Sequence, residues 1–309
     1  MQDSCVLRRR EVPGLSNVAN RNSAALAILT SIFFYGIMDA TSKFLLPAIP
    51  AVEILFFRSL IVLIAVVILV MATGTLRSVK TDQPLLHVGR SFIGNLVVLL
   101  FIISLGFMQL SQVVAVGFLA PIFAAGWDFL LFRHRATWRD WLLTLAGCAS
   151  VWLILRPGFE VPVAHAILPL CASLLLSFYL STAKWLKPSE TTLTIVFYFS
   201  LIGVVVTSPM LALAWTAPQL NQLILLVLGG LCGGIGVGLR NVAYRAAPAI
   251  FVGLFEYTGI IWAGLFGYLL FSARPDIELI VGTVLIIALN LFRVFGSRGS
   301  ATAQAATEP

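Results

Sequence analysis

Apolar residues run along this chain in long blocks, without the alternation of a half-buried strand. The blocks are near 20 residues long and are separated by short polar or Pro-containing turns. Each can cross a bilayer core of about 30 Å. They predict ten helices at 25–46, 52–72, 88–107, 111–132, 140–156, 164–185, 192–214, 221–243, 248–271 and 277–296. No soluble domain is expected between them. Residues 1–24 are polar and read as a cytoplasmic N-terminal tail, and 297–309 as a disordered cytoplasmic tail. The first apolar run is too long for a signal-peptide core and is read as a retained helix.

Composition agrees with the pattern. The chain has 309 residues, 60% hydrophobic and only 11% charged, against about 25% charged in a soluble domain. The expected fold class is an all-α polytopic membrane protein, with the lipid bilayer as its solvent. A β-barrel would need short strands of alternating polarity. A net charge of +7 would point to nucleic acid in a soluble protein. Here topology explains it. Of the 20 basic residues, the helix alternation puts only Lys43, Arg156 and Arg274 in outer segments and Arg58 inside a span. The rest lie on the inner side, which places both termini in the cytoplasm. Cys5, Cys148, Cys171 and Cys232 are scattered, as are His87, His134 and His165. Their spacing indicates neither zinc nor a disulfide framework, and the cysteines read as small core residues.

Four charges stand out at the first helical hairpin: Asp39, Lys43, Glu53 and Arg58. A charge inside a membrane segment is costly and is a functional-site hypothesis by default. At 1.5 Å per residue, Asp39 and Arg58 both lie about 10 Å below the outer surface, and Lys43 and Glu53 within a few ångströms of it. Matched depths predict two ion-pair layers, Asp39 with Arg58 and Lys43 with Glu53. One reading is a network that staples the first two helices. The other is a substrate anchor or outer gate, with Asp39 as a carboxylate that carries protons.

Glu256 sits about 12 Å inside the ninth helix, followed by Tyr257 and Thr258, with no Lys or Arg on that helix near enough to pair with it. It is a candidate for a cationic substrate group or a proton. Asn95 and Asn290 are buried amides that read first as interhelical hydrogen bonds, with substrate contact as the alternative. Asp128, beside Trp127, is expected to pair with a loop arginine. The run GGLCGGIGVG (229–238) carries GxxxG registers that let helices approach closely. It lies within an apolar span and no Lys follows it as in a phosphate-binding loop, so neither ATP drive nor a cofactor is expected. Pro121 and Pro209 are candidate kinks.

The two halves resemble each other. VGFLAPIFAAGWDFLLF (116–132) matches FVGLFEYTGIIWAGLFGYLLF (251–271) in character. Each is followed by a helix with an early glycine, Gly147 or Gly282. An odd number of helices per half makes the repeats inverted, as in secondary transporters.

At this point the sequence resembles the drug/metabolite transporters of the EamA type, a ten-helix family of two five-helix repeats. The stretch MDATSKFLL…P…EILFFRS (38–59) is similar to the family's first hairpin. LAPIFAAGWDFLLF, TWRDW, Gly147 and LILRPG (153–158) resemble the end of the first repeat, and 240–271 the eighth and ninth helices. The likeness covers about residues 25–296, with repeats at 25–156 and 164–296. Family members usually carry a Gly-Glu pair after the fourth and ninth helices, where this chain has Arg133-His134 and Ser272-Ala273. The resemblance implies a bacterial inner-membrane carrier of small metabolites.

The expected function is therefore a secondary permease for a small polar or amphipathic metabolite, proton coupling being one form of it. Asp39, Arg58 and Glu256 lead the candidates for substrate or proton binding, with Lys43, Asn95 and Tyr257 behind them. Two alternatives stay open: a lipid-modifying membrane enzyme, although HExxH and GxSxG are absent, and a helical assembly partner that transports nothing. Glycine faces serve packing within one chain as well as between chains, so oligomeric state is left open.

Overall fold

The computed structural model describes residues 13–74, 79–132, 138–155, 162–187, 189–247 and 249–305; some side chains in these ranges, Asp128 among them, lie outside the described residues. Arg8, Arg9, Arg10, Arg133, His134 and Arg156 also lie outside them. The described residues form helices and turns with no strand. In order these are α1 (Pro13–Leu45), α2 (Ala51–Thr73), α3 (Pro84–Leu105), α4 (Leu110–Gly117), α5 (Ala120–Phe132) and α6 (Trp138–Leu155). Then follow α7 (Val163–Ser181) with a 3₁₀ turn to Trp185, α8 (Thr192–Ala214), α9 (Leu220–Ala246), α10 (Ala249–Glu256), α11 (Gly259–Phe271) and α12 (Ile277–Ala305). Seven stretches are long and apolar enough to cross a membrane. Shorter apolar helices lie at 110–124, 145–155 and 277–292.

Two of the expected continuous helices are broken. The run 111–132 divides into α4 and α5 at Phe118–Leu119, and 248–271 into α10 and α11 at Tyr257–Thr258. At the first break Pro121 has no N–H to give to the preceding turn. Phe118 and Leu119 bond three residues back, to Ala115 and Val116. Backbone groups freed inside a membrane must find partners, and they do. Ser173 Oγ donates to the Val116 carbonyl at 2.9 Å, and Asn290 Nδ2 to the Phe118 carbonyl at 3.1 Å. At the second break the Thr258 hydroxyl takes the Phe255 carbonyl at 2.7 Å, just before the weak helix former Gly259. Pro209, by contrast, lies within a continuous α8.

The halves interdigitate. The main pairings across them are α1 with α9 and α11, α2 with α8 and α9, α3 with α7 and α8, α5 with α7 and α6 with α12, and α4 also meets α11. Glycines make the closest of these contacts possible. A Cβ at Gly236 would sit 3.2 Å from the Tyr35 ring, at Gly233 2.9 Å from Met38 Sδ, and at Gly230 2.8 Å from Ile61. The glycine run of α9 thus seats α1 and α2, as close-packing glycines do. Ser31 Oγ adds a bond to the Gly236 carbonyl at 2.7 Å.

Apolar clusters pack the bundle around the breaks and toward the helix ends. The largest joins Leu110, Val116, Leu119 and Ile122 to Ile154, Leu155 and Ile286. The cysteine reading is corrected in part: Cys232 is buried, but Cys148 and Cys171 are exposed on the outer face of the bundle.

Candidate functional site

Polar side chains converge on two adjoining cavities in the middle of the bundle. The larger, about 420 Å³, lies among α1, α2, α3, α7, α8 and α9. Tyr35, Asp39, Arg58, Tyr179, Phe199, Ser200, Arg240 and Asn241 face it. The smaller, about 140 Å³, lies between α1, α4, α9, α10 and α11, against the break at Phe118. Tyr35, Asp39 and Arg240 line both.

Asp39 lies six residues before α1 ends at Leu45, and Arg58 seven after α2 begins at Ala51, each therefore about 10 Å inside its helix. The expected shared depth is present, and the two groups act on each other electrostatically. They do not close into a salt bridge, since no ion pair within 4 Å joins them among the described residues. Both project into the larger cavity.

Glu256 is partnered from a neighbouring helix. Arg240 Nη2 approaches its carboxylate at 2.7 Å, and Tyr244 Oη donates to it at 2.8 Å. Neither Arg240 nor Tyr244 was expected here. Arg240 reads from sequence as an inner-loop charge, because the predicted helix stops near it. In fact α9 continues to Ala246, which carries Arg240 about 9 Å inside. The signal available was its spacing from Tyr244, which puts both on one helix face.

The outer pair is a correction. Lys43 does not meet Glu53. Its Nζ donates to the carbonyl of Leu105 at 2.7 Å and to that of Met108. The ammonium caps the end of α3, where helix carbonyls lack partners and the dipole favours a cation. Glu53 is fully buried and accepts the Thr216 N–H at 3.0 Å, at the turn between α8 and α9. Equal depth put these residues in one layer, but they point to different neighbours.

Asn95 donates to the carbonyls of Ser91 and Phe199, at 2.8 and 2.9 Å, tying α3 to α8. Asn290 serves the broken backbone as described. Tyr257 stacks edge-on against Phe118, ring centroids 5.1 Å apart, so the two break points touch. Asn95, Lys43 and Tyr257 line neither cavity. At the end of the bundle where α3 begins, the sequence reading missed a buried pair, His87 Nε2 with Glu190 at 3.0 Å, which Thr81 Oγ1 also reaches at 2.6 Å. Among the described residues no group of His, Cys, Asp and Glu could hold a metal ion.

Comparison with known families identifies the class of protein. Residues 22–156 and 164–291 match the EamA-like transporter family, and the chain belongs to it. It is a membrane permease of the drug/metabolite type, and the enzyme and assembly-partner alternatives fall away. It is 22% identical to an S-adenosylmethionine uptake transporter of Rickettsia bellii, over 84% of this chain and 89% of the relative. It is 26% identical to a riboflavin transporter of Brucella anthropi, over 79% and 88%. A pseudopaline exporter of Pseudomonas aeruginosa is 25% identical over 86% and 94%. A solved crystal structure shares the fold at a TM-score of 0.61 and 16% identity, covering 90% of this chain and 98% of the other.

Proposed function

We propose that this permease is a secondary carrier that moves a small metabolite across the bacterial inner membrane by alternating access. The observation that carries the reading is the open pair, Asp39 and Arg58. Both face a cavity deep in an apolar bundle, without a direct partner in each other. Charges held open in a membrane interior are costly unless a ligand or water meets them.

Two inverted five-helix repeats account for the architecture. Count α4 with α5, and α10 with α11, as one span each. The helix pairings then become first with eighth and ninth, second with seventh and eighth, third with sixth and seventh, fourth with sixth and ninth, and fifth with tenth. Exchange every span with the one five positions away, and this set maps onto itself. The two broken spans are counterparts under that exchange, and their break residues Phe118 and Tyr257 are in contact. Discontinuous helices near the midplane are a recurring feature of such carriers. The excess of Lys and Arg on one side supports cytoplasmic termini, even with Arg240 withdrawn from the inner loops.

In this reading Asp39 and Arg58 hold substrate, and Asp39 exchanges a proton with it. Glu256 is held by Arg240 and Tyr244 and forms the floor of the site. The relatives named for S-adenosylmethionine, riboflavin and pseudopaline support a small organic cargo. The test is uptake and counterflow in proteoliposomes with pooled labelled metabolites, with and without a pH gradient. Saturable uptake that Asp39→Asn slows at least about ten-fold is expected. Uptake unchanged in Asp39→Asn would remove Asp39 from the site.

A further inference from the structure

Resting on that carrier reading, we infer that the central site selects zwitterions: compact molecules that carry one ammonium and one carboxylate next to an apolar body. The argument is one of charge balance. Arg240 and Glu256 neutralise each other at 2.7 Å, and Tyr244 fills a further acceptor position of that carboxylate. This pair has little left to offer a ligand. Asp39 and Arg58 differ. Among the described residues neither makes a hydrogen bond or a close ion pair, although each feels the other's charge. The cavity therefore presents one free anion and one free cation.

A cationic ligand would satisfy Asp39 and leave the Arg58 guanidinium without a partner. An anionic ligand would do the reverse. Either case leaves one charge of the site without a partner inside an apolar bundle, which is the costly outcome for such an ion. A zwitterion satisfies both groups and brings no net charge of its own, so the loaded site holds no excess charge. Its ammonium goes to the Asp39 carboxylate, and its carboxylate to the Arg58 guanidinium, whose planar fork suits it.

The remaining walls define the body. Leu55, Val98, Ile195 and Phe199 face the same space, and Tyr179 adds an aromatic surface beside Phe199. About 420 Å³ holds a ligand of amino-acid size with room to spare.

The test uses the full chain in vesicles of phosphatidylethanolamine and phosphatidylglycerol. Matched probes remove one charge at a time: L-leucine, 3-methylbutylamine and 4-methylpentanoate, and then L-methionine, 3-(methylthio)propylamine and 4-(methylthio)butanoate. The zwitterion of at least one set is transported, and both single-charge analogues fall at least about ten-fold behind it. Asp39→Asn then erases the preference over the acid, and Arg58→Gln the preference over the amine. A merely structural role would lower all three probes in parallel. Single-charge analogues carried as well as the zwitterion would overturn the inference and leave the carrier intact. If no probe of any class moved, in the sets or in the pooled mixture, both readings would fall. The wild-type ratios decide the matter even if a variant fails to fold.

Discussion

Arg240 and Glu256 approach to 2.7 Å across α9 and α10, on the wall of the cavity that Asp39 also lines. One pair of opposite charges in the bundle is closed and another is open. The closed pair is partly solvated, with side chains 39% and 29% exposed, so solvent screening limits what it adds to stability. We expect a double-mutant cycle of Arg240→Gln and Glu256→Gln, read by thermal unfolding in detergent, to give a coupling of about 1 kcal/mol. Additive effects would mean that the pair adds nothing to the folded state.

Lys43 and Glu53 provide the contrasting case. Lys43 caps backbone carbonyls of the α3 end, and Glu53 accepts from Thr216. Lys43→Gln and Glu53→Gln should each destabilise the protein, and the losses should add to within about 0.5 kcal/mol. A larger coupling would restore the ion pair expected from depth alone.

The Phe118 carbonyl depends on Asn290. Asn290→Leu keeps the size of the side chain but removes the donor. It should cost about 1–3 kcal/mol, the usual penalty for an orphaned buried acceptor. Thermal unfolding measures it, and an unchanged midpoint would show that the break needs no such support.

Glycines of similar appearance should behave differently. A Cβ at Gly203 would collide with Ser59 Oγ and lie 2.6 Å from Asn95 Oδ1, whereas at Gly238 it would meet nothing within 4 Å. Gly203→Ala should lose about 1–3 kcal/mol to overpacking. Gly238→Ala should be neutral or gain about 1 kcal/mol in helix propensity. Equal melting temperatures for the two variants would contradict this packing.

Much of the architecture is legible in the sequence because lipid imposes it. Apolar blocks mark helices whatever their tertiary partners, and the expected 52–72 and 192–214 fall within a residue or so of α2 and α8. The breaks are not legible in that way. Both breaks lie inside runs apolar enough to read as one continuous span, and a hydropathy pattern carries no information about backbone hydrogen bonds. Pro121 at the first break and Thr258-Gly259 at the second were the local signs. Asp39 and Arg58 stand out because a charge in an apolar block needs a reason. Their openness does not, because depth along a helix says nothing of the direction a side chain takes. Lys43 shows the cost of that omission, and Arg240 shows the cost of ending a helix about one turn early.

The account rests on a cavity that both sides of the membrane reach in turn. Ser200 lines it and takes no part in the charge pairs. We would place a thiol there by Ser200→Cys, in a chain whose native cysteines are replaced, and label it with an impermeant maleimide from each side of sealed vesicles. The account predicts labelling from both sides, slowed by transported substrate. Labelling from one side only, whatever the substrate or gradient, would contradict alternating access.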